Sequence, residues 1–346
     1  MEKRIDPEDM FKSIWEFPDN LNEAFELGST IKLKNTYTDI SNIVVAGMGG
    51  SAIGGDVLAS LESAKLDIPL IVCRSYTLPN WVNNKTLVIC SSYSGNTEET
   101  LSALDDAINK KAQICGITTG GEIGQKINDL GYDLVKIPSG LQPRAALAFS
   151  FVPMTKLLEK IGIFEPGINK WLKSLIKNLE EKRKIYSEEN LHNPVYCLSE
   201  KIYKKIPIIY ADNSTLSVVA TRLKGQICEN AKMLTYHNDL PELNHNEIVG
   251  WENNSNLFKH LHIIWLKDSS DNKRTKLRQD ITSQILNEEM VEQDTIIVDG
   301  NTYQERLLHL INYGDWLSYW CAIMHKTDPS PVNKILRLKN ELSEKL

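Results

Sequence analysis

Residues 88–100 combine hydroxyl groups with a flexible turn in a way that is typical of phosphate binding. The hydroxyls of Ser92, Ser94 and Thr97 surround Gly95, where an apolar run gives way to a helical pattern. Backbone N–H groups at such a turn and the positive end of the helix dipole both favour an anion. The segment contains no lysine, which is against a triphosphate loop of the Walker type. A helix N-cap with a capping box is the alternative, and both functions can coexist.

A second glycine-rich turn, at residues 47–56, follows another apolar run. Gly50 and Ser51 lie where a helical pattern begins, so their backbone N–H groups and the serine hydroxyl are suited to holding the same phosphate. The glycines lack the G-x-G-x-x-G spacing of a dinucleotide-binding turn, and the next strand runs into Arg74 rather than an acidic residue. Close packing of a helix against a strand is the structural alternative for this turn.

Short apolar runs alternate with helical patterns throughout the first half of the chain. Strands are predicted at 43–48, 69–74, 86–91, 113–118 and 133–137, and helices near 51–64, 96–111 and 121–130. This alternation favours a doubly wound, mainly parallel sheet. Ligands of such sheets bind beyond the carboxyl ends of the strands, where both hydroxyl-bearing turns fall.

The second half of the chain follows a similar plan after two helical segments. Strands are predicted at 206–211, 233–237, 261–267 and 295–298, and helices near 144–162, 168–188, 214–231, 272–288, 303–326 and 331–344. The predicted fold class is therefore α/β with two doubly wound, mainly parallel domains. Their predicted bounds are residues 1–153 and 154–346.

The composition argues against several classes of protein. The 346 residues carry 39 basic and 45 acidic side chains, a net charge of −6, so no basic field for nucleic acid is expected. No apolar run has the length of a membrane span, and residues 1–8 show no signal-peptide core. The six cysteines form no C-x-x-C pair, which predicts reduced thiols in a cytoplasmic protein. The spacing of the histidines predicts no metal site.

Two stretches of the sequence resemble a known family. Ser-Ser-Tyr-Ser-Gly-Asn-Thr-Glu-Glu-Thr, at 91–100, is similar to the sugar-isomerase (SIS) domain, a flavodoxin-like module that binds phosphosugars. Together with Met-Gly-Gly-Ser-Ala-Ile-Gly-Gly-Asp, at 48–56, it resembles the bifunctional phosphoglucose/phosphomannose isomerases, and the similarity covers nearly the whole chain.

The resemblance implies a fold and an activity. We expect two SIS-type domains, a hexose 6-phosphate substrate and no metal or other cofactor. The implied reaction is metal-independent aldose–ketose isomerisation, which converts glucose 6-phosphate and mannose 6-phosphate to fructose 6-phosphate through a cis-enediol.

Glu229 is the candidate general base. It lies near the predicted C-terminus of an amphipathic helix, where the helix dipole does not favour a carboxylate, and an acid so placed beside a cleft is suited to accepting a proton. A solvated or salt-bridged carboxylate is the alternative for a single glutamate. The resemblance places the catalytic glutamate of the family at Glu229.

Arg144 follows Pro143 at the start of the predicted helix 144–162. A single arginine at such a position is commonly an exposed helix-start residue. The resemblance implies instead that Arg144 faces the substrate and stabilises the negative charge of an enediolate oxygen.

His245 lies in the turn-rich stretch 238–251, within Asn244-His245-Asn246-Glu247 and sixteen positions after Glu229. A histidine in such surroundings is commonly a polar loop residue. The resemblance implies that it assists opening of the sugar ring, and that in the wider phosphoglucose isomerase group it enters the neighbouring site. We therefore expect a homodimer in which His245 of the partner subunit completes each active site.

Thr327 and Lys334 lie in the sequence that joins the last two predicted helices, where two X-Pro pairs indicate a helix end and a new start. The resemblance implies that Lys334 contacts the hydroxyls or the ring oxygen of the sugar. It places Thr327 at the C2 side, where glucose and mannose differ. Lys339 is the rival of Lys334 in this alignment.

Two other functions fit the phosphate turns. One is an isomerase of amino-sugar phosphates; a complete synthase with a glutaminase half is not expected, because it would need an N-terminal cysteine and residue 2 is glutamate. The other is a non-catalytic phosphosugar sensor, which usually accompanies a DNA-binding domain that this acidic chain has no room for. A sensor would not need the set Arg144, Glu229, His245 and Lys334, so an isomerase is favoured.

Overall fold

The computed structural model describes residues 5–345 of the chain. The strands are β1 (Asn42–Ala46), β2 (Leu70–Cys73), β3 (Thr86–Ser92), β4 (Gln113–Thr118), β5 (Asp133–Lys136), β6 (Ile206–Asp212), β7 (Tyr236–Leu240), β8 (Leu261–Leu266) and β9 (Gln293–Ile296). The helices are α1 (Met10–Trp15), α2 (Phe17–Ser29), α3 (Gly49–Glu62), α4 (Glu98–Asn109), α5 (Gly121–Asp129), α6 (Leu147–Ile161), α7 (Asn169–Tyr186), α8 (Pro194–Lys201), α9 (Ser217–Gln226), α10 (Lys273–Glu288), α11 (Tyr303–Met324) and α12 (Asn333–Ser343). A π-helical turn covers Ile227–Ala231, and 3-10 turns cover Pro143–Ala145, Glu242–His245, Glu247–Glu252 and Ser255–His260. Within residues 5–345, no helix has both the length and the apolar character needed to cross a membrane.

The chain divides into two compact units. We call Glu16–Glu180 together with Thr302–Glu305 the N-terminal unit, and the remaining described residues the C-terminal unit. The predicted domain boundary between residues 153 and 154 stays a prediction.

The N-terminal unit contains sheet A, with strand order β2-β1-β3-β4-β5 and every neighbouring pair parallel. β3 is buried along its whole length, as expected for an unbroken apolar run at the centre of a parallel sheet. All five strands lie within two residues of the predicted positions. The chain leaves β1 toward β2 on one side and returns to β3 on the other, so the switch point of sheet A lies between β1 and β3.

The C-terminal unit contains sheet B, with order β7-β6-β8-β9, again parallel throughout. One face packs around Tyr210 and Trp265, whose ring centroids are 5.0 Å apart, with Leu240 and Leu286 beside them. The switch point of sheet B lies between β6 and β8. The prediction of two doubly wound, mainly parallel sheets is confirmed.

β7 lies three residues later than the strand predicted at 233–237. Asn238 and Asp239, which read as turn residues in the sequence, pair with β6 instead. Asn238 donates a hydrogen bond to Glu247 (2.5 Å), and Asp239 accepts one from a serine hydroxyl of α9 (2.6 Å). Tertiary hydrogen bonds therefore hold two poor strand formers in an edge strand.

Two helical regions differ from the prediction. The helix predicted at 214–231 is α9 followed by the π-helical turn Ile227–Ala231, and α8 has no counterpart in the sequence prediction. Asn193 caps α8 by accepting a hydrogen bond from the backbone N–H of Val195 (2.9 Å), and Pro194 is its first residue. Both are ordinary helix-start signals that the sequence contains.

Candidate functional site

Two turns rich in glycine and hydroxyl groups lie side by side at the carboxyl edge of sheet A. The first joins β1 to α3, and the second joins β3 to α4. Because β1 and β3 flank the switch point, the turns occupy the position at which doubly wound sheets bind ligands. Met48 and Thr97 are the N-cap residues of α3 and α4, and neither forms a side-chain capping bond. A phosphate therefore meets no competing cap at either helix N-terminus.

The hydroxyls of the second turn are of two kinds. Ser92 is 1% exposed; its Oγ accepts a hydrogen bond from the N–H of Gly95 (3.1 Å) and shares one with the Thr97 hydroxyl (3.0 Å). Ser94 is exposed, and its Oγ accepts from the N–H of Asn96 (3.3 Å). Ser92 thus shapes the turn from inside, whereas Ser94 and Thr97 are accessible. The alternative of a capping box through Thr97 is wrong, because its side chain makes no capping bond.

Ser51 and Tyr93 join the two turns. The Oγ of Ser51 accepts a hydrogen bond from the backbone N–H of Tyr93 (2.9 Å). The Tyr93 hydroxyl in turn accepts one from the N–H of Leu141 (3.0 Å), and burial raises the pKa of this hydroxyl, so it stays neutral. The sequence prediction assigned no role to Tyr93. The feature that could have indicated one is an aromatic residue within a turn of serines and glycine.

At two positions another part of the backbone comes so close that only glycine, which has no Cβ, fits. Gly95 has φ +72°, and a Cβ there would lie 1.8 Å from the carbonyl oxygen of Gly120. A Cβ on Gly50 would lie 2.4 Å from the carbonyl oxygen of Pro143. Gly50 therefore lets the backbone just before Arg144 touch the first turn.

Arg144 is buried, with 4% of its surface exposed, in the 3-10 turn Pro143–Ala145. The sequence-based alternative of an exposed helix-start arginine is wrong. Its backbone lies against Gly50, and a guanidinium is charged at any physiological pH. The segment that approaches the first glycine-rich turn thus carries a permanent positive charge.

Glu229, in the C-terminal unit, lies in the π-helical turn that follows α9 and is half-buried. The turn ends at Lys232, whose φ of +56° is left-handed. Glu229 therefore does lie near a helix C-terminus, as expected from the sequence. Single π-helical turns are frequent at functional sites, and this one had no counterpart in the sequence reasoning.

Lys232 connects the turn of Glu229 to the loop that carries Thr327. Its Nζ donates hydrogen bonds to the carbonyl oxygens of Glu229 (2.8 Å) and of the next residue (3.2 Å). The same ammonium group donates to the carbonyl oxygens of Asp328 (2.8 Å) and Pro329 (3.0 Å). Carbonyls at a helix end lack intrahelical partners, so a cation there is well placed. The sequence reasoning gave Lys232 no role.

A buried polar face holds α9 and the turn of Glu229 on α11. Arg222 binds the carboxylate of Asp315 through two 2.9 Å hydrogen bonds, and Gln226 adds a third (2.8 Å). Asn230 donates to the hydroxyl of Ser318 (2.9 Å). Burial raises the pKa of Asp315, and the Arg222 guanidinium opposes that rise. The spacing of four between the three residues puts them on one side of the helix.

Thr327 and the two candidate lysines follow α11. Thr327 is half-buried and donates to the carbonyl oxygen of His325 (3.3 Å). Lys334 is exposed in the first turn of α12, and Lys339 is exposed in its middle. Five residues rotate a helical side chain by about 140°, so the two lysines point to different sides. Lys334 is the nearer of them to Thr327 along the chain.

His245 and Glu229 of one chain lie at opposite edges of sheet B. His245 is exposed in the 3-10 turn that follows β7, at the carboxyl edge. Glu229 is at the amino edge, because α9 runs back from the carboxyl end of β6 to the start of β7. The five residues of β7 alone separate the edges by about 17 Å. The structure therefore does not bring these two predicted residues of one chain together.

A cavity of about 470 Å³ opens beside His245 at the switch point of sheet B. Arg274 and Arg278 line it, as do Asp212, the last residue of β6, and Ser214. Glu247 holds the segment of His245 on the sheet by accepting hydrogen bonds from Tyr210 and Asn238. The sequence reasoning assigned no role to this glutamate.

Across residues 5–345, no group of three or more histidine, cysteine, aspartate or glutamate side chains is arranged to hold a metal ion. His262, one of the two histidines in His260-Leu-His262, is buried in β8 and bonds the carboxylate of Asp294 (2.9 Å). Burial lowers the pKa of His262, and the carboxylate of Asp294 opposes that effect. These contacts give His262 a structural place in the sheet.

A solved structure and a family model define the class of protein. The chain is similar to a hypothetical protein from Thermus thermophilus, with a TM-score of 0.73 and 14% identity over 99% of this chain and 92% of that one. Residues 191–342 match the model described as the bacterial phospho-glucose isomerase C-terminal SIS domain. Together with the two switch-point sheets, these findings define an SIS-type fold.

Curated relatives define the family within that class. The chain is 44% identical to the bifunctional phosphoglucose/phosphomannose isomerase of Caldicellulosiruptor bescii, over 97% of this chain and 99% of the relative. It is 36% identical to the enzyme of the same name from Aquifex aeolicus, over 89% and 92% of the two chains. The chain belongs to the bifunctional phosphoglucose/phosphomannose isomerase family, and the resemblance drawn from its motifs is confirmed.

Proposed function

We propose that the protein is an isomerase that interconverts glucose 6-phosphate and mannose 6-phosphate with fructose 6-phosphate. The observation that carries the proposal is the 44% identity over 97% of the chain with a bifunctional isomerase. The carboxyl edge of sheet A supports it independently, because two helix N-termini and several hydroxyls meet there at a switch point.

In this proposal the phosphate group binds at the carboxyl edge of sheet A. Ser94 and Thr97 donate their hydroxyls, Ser51 keeps a hydroxyl hydrogen to donate, and backbone N–H groups near Gly50 complete the set. Ser92 supports the turn from inside. The phosphate is remote from the reacting carbons, so its binding energy orients C1 and C2 without taking part in the chemistry.

Glu229 transfers the proton between the two carbons. It removes the proton from C2 of the open-chain aldose while the carbonyl oxygen O1 is protonated, which gives a cis-enediol. Glu229 then returns a proton to C1 as the hydroxyl at O2 loses its proton, which gives the ketose. Glucose and mannose 6-phosphate share this intermediate, because C2 becomes trigonal and loses its configuration.

Arg144 and Lys334 act on the oxygens of the sugar. The buried charge of Arg144 stabilises negative charge on the enediolate oxygen, and such fixed charges are worth most where water is excluded. Lys334 contacts the ring oxygen or hydroxyls and assists ring opening. It is favoured over Lys339, since it stands in the first turn of α12, directly after the loop that Lys232 ties to Glu229. Thr327 lies at the C2 side, where the epimers differ.

His245 assists ring opening in the site of a second subunit, so the active form is a homodimer. Support comes from the positions of Glu229 and His245 at opposite edges of sheet B in one chain. A site that uses both residues needs them from two chains.

The activity is tested with EDTA-treated protein in a coupled assay for fructose 6-phosphate, run separately with each aldose phosphate. We expect turnover of both substrates. Turnover of glucose 6-phosphate alone would remove the role given to Thr327. Absence of both activities would contradict the proposal, and binding of phosphosugars without turnover would then favour a sensor, while turnover of glucosamine 6-phosphate would favour an amino-sugar isomerase.

The shared site is tested by mixing two inactive variants, His245→Ala and Glu229→Gln, under conditions that exchange subunits. A mixed dimer has one site with both native residues, so activity is expected to return to at most one site in two. The control is each variant refolded alone. If both residues act from one chain, no mixed dimer contains a complete site, and no activity returns.

A further inference from the structure

Tyr93 links three segments at the carboxyl edge of sheet A. Its backbone N–H donates to the Oγ of Ser51 in the first glycine-rich turn (2.9 Å). Its carbonyl oxygen accepts hydrogen bonds from the backbone N–H (3.2 Å) and the hydroxyl (2.8 Å) of Thr119, in the turn after β4. Its own hydroxyl accepts a hydrogen bond from the backbone N–H of Leu141 (3.0 Å). One residue of the second turn therefore holds segments that are far apart in the sequence.

Leu141 lies three residues before Arg144, in the loop that leaves β5. The chain then enters a 3-10 turn, in which the N–H of Ala145 donates to the carbonyl oxygen of Gln142 (2.8 Å). A backbone N–H that is shielded from water needs a partner, and the Tyr93 hydroxyl supplies one for Leu141. Because so few residues separate the two, the position of Leu141 determines where the turn of Arg144 begins.

The same turn also lies against the first glycine-rich turn. A Cβ on Gly50 would lie 2.4 Å from the carbonyl oxygen of Pro143, so these two backbones are in contact. Tyr93, Gly50 and Pro143 all line one cavity of about 10 Å³. That volume holds at most about one water molecule and is far too small for a sugar. The side of Tyr93 that faces this cavity is therefore packed against protein and does not line a sugar-binding pocket.

We propose that Tyr93 is a positioning residue, which fixes Arg144 relative to the phosphate site through its hydrogen bond to Leu141. The inference rests on the proposed function, in which the two turns hold the phosphate and Arg144 stabilises the enediolate. The phosphate and the enediolate oxygens are at opposite ends of one substrate. The distance between their two binding groups therefore decides whether both can be bound at once. A displacement of about 1 Å at such a group can slow a reaction about 100-fold.

Three phosphate ligands separate the two ends of the site. Arabinonate 5-phosphate carries a carboxylate where the substrate forms its enediolate, arabinitol 5-phosphate carries an uncharged hydroxymethyl group there, and inorganic phosphate occupies the turns alone. Calorimetry measures the affinity of each for the full-length protein and requires no turnover. The native chain is expected to bind arabinonate 5-phosphate about tenfold or more tightly than arabinitol 5-phosphate, because Arg144 stabilises the negative charge.

The first variant is Tyr93→Phe, which keeps the ring and the backbone contacts and leaves the N–H of Leu141 without its acceptor. Its affinity for arabinonate 5-phosphate is expected to fall about tenfold, because Arg144 is displaced from the charged group. The affinities for arabinitol 5-phosphate and inorganic phosphate are expected to stay the same. With the aldose phosphates, kcat should fall and KM should change little. An equal loss of affinity for all three ligands would show that Tyr93 only shapes the phosphate turn, and no loss at all would show that its hydroxyl is not needed; either result would overturn the proposal.

Tyr37→Phe is the matched control in the same unit. The Tyr37 hydroxyl bonds the carboxylate of Asp133 (2.9 Å) and the carbonyl oxygen of Ile114 (3.2 Å), at the amino edge of sheet A. Its removal also costs a partly buried hydrogen bond but is remote from the two turns. We expect the three affinities to remain at the native level. The same selective loss in Tyr37→Phe would mean that general destabilisation explains the effect, which would overturn the proposal.

A double-mutant cycle shows whether Tyr93 acts through Arg144. Arg144→Gln is expected to remove the preference for arabinonate 5-phosphate, and its affinity for inorganic phosphate reports whether the phosphate turns remain intact. In that background, Tyr93→Phe should cause no further loss, since residues that act as one unit are not additive. An equal loss in both backgrounds would mean that Tyr93 acts on the ligand by itself and would overturn the positioning role.

The binding measurements separate this inference from the proposed function. A native chain with the preference for arabinonate 5-phosphate, its selective loss in Tyr93→Phe, and no isomerase activity would support the role of Tyr93 and contradict the proposed function alone. A native chain that turns over both aldose phosphates but lacks the preference would overturn the role of Tyr93 alone.

Discussion

The carboxyl edges of sheets A and B have the same topology but different chemistry. At the switch point of sheet A, glycines and neutral hydroxyls lead into two helices without capping side chains. At that of sheet B, the corresponding cavity is lined by the charged or titratable side chains of Arg274, Arg278 and His245. The candidate base of the C-terminal unit, Glu229, lies at the opposite edge of its sheet.

This difference shows that the order of the strands determines where a ligand can bind, but not which chemical function the site has. In the proposed function, sheet A holds the phosphate at its switch point, and sheet B carries candidate reactive groups, His245 and Glu229, at its two edges. The two folds share their sheet plan, so the division of tasks lies in the loops and helix ends. Five changes test that division, from the largest expected effect to the smallest.

Replacement of Glu229 by glutamine should have the largest effect. The amide cannot accept the C2 proton, so kcat is expected to fall about 100- to 10,000-fold with both aldose phosphates while KM changes little. Steady-state kinetics measure this, with Glu200→Gln on α8 as the matched control. Activity near the native level would show that the amino edge of sheet B does not supply the base.

Gly95→Ala should damage the phosphate turn of sheet A. The added Cβ would meet the carbonyl oxygen of Gly120 at 1.8 Å, so the turn must shift, and KM is expected to rise about tenfold or more with a stability loss of about 1–3 kcal/mol. Gly131→Ala is the matched control: its φ is also left-handed, at +76°, but no atom lies within 4 Å of the new Cβ. It should cost about 1 kcal/mol in thermal or urea unfolding and leave KM unchanged. Equal KM values in both variants would count against phosphate binding at sheet A.

Lys232→Met should affect kcat more than KM. It removes the four hydrogen bonds that join the carbonyls of Glu229 and Asn230 to those of Asp328 and Pro329, so the base loses its fixed position. We expect kcat to fall about tenfold, because a small displacement of a catalytic group from its reactive position slows the reaction strongly. Lys224→Met, an exposed lysine on α9, is the control. A change confined to the melting temperature would give Lys232 a structural role only.

Thr327→Ala should change the preference between epimers. If Thr327 contacts the C2 side, kcat/KM with mannose 6-phosphate is expected to fall about fivefold more than with glucose 6-phosphate, since the loss of one hydrogen bond to substrate is worth about 1 kcal/mol. The ratio of the two specificity constants is the measurement. An equal decrease with both sugars would remove the epimer role.

The smallest effect concerns stability at acidic pH. His309 is buried, and its Nδ1 donates to the carbonyl oxygen of Asp299 (2.9 Å). In the neutral ring, Nε2 accepts a hydrogen bond from the hydroxyl of Tyr186 (2.9 Å). Burial lowers the pKa of His309 below its ordinary value near 6.5. Below about pH 6.5 the unfolded chain binds a proton that the folded chain does not, so stability falls as the pH falls.

His309→Gln should reduce this pH dependence. The variant is expected to be less stable than the native chain at pH 7.5, because it disturbs two hydrogen bonds, but to lose less stability between pH 7.5 and 5.5. Urea unfolding at the two pH values measures the difference. An unchanged difference would mean that other groups, such as His262, carry the effect.

The sequence by itself determined the parts of this protein that depend on neighbouring residues. The five strands of sheet A and the turns of Gly50 and Ser94 could be predicted, because apolar periodicity and turn chemistry are local. The same holds for the position of Glu229 near a helix end. Two short motifs, at 48–56 and 91–100, were together enough to indicate the family.

Only the tertiary structure decided the parts that join distant residues. It showed that Arg144 is buried against Gly50, that Lys232 ties Glu229 to a loop almost a hundred residues away, and that His245 lies at the other edge of the same sheet. These facts depend on which helix packs along which strand, and on hydrogen bonds between a lysine and carbonyl groups that are distant in sequence. No local sequence pattern predicts these contacts, because each is made between segments that are far apart in the sequence.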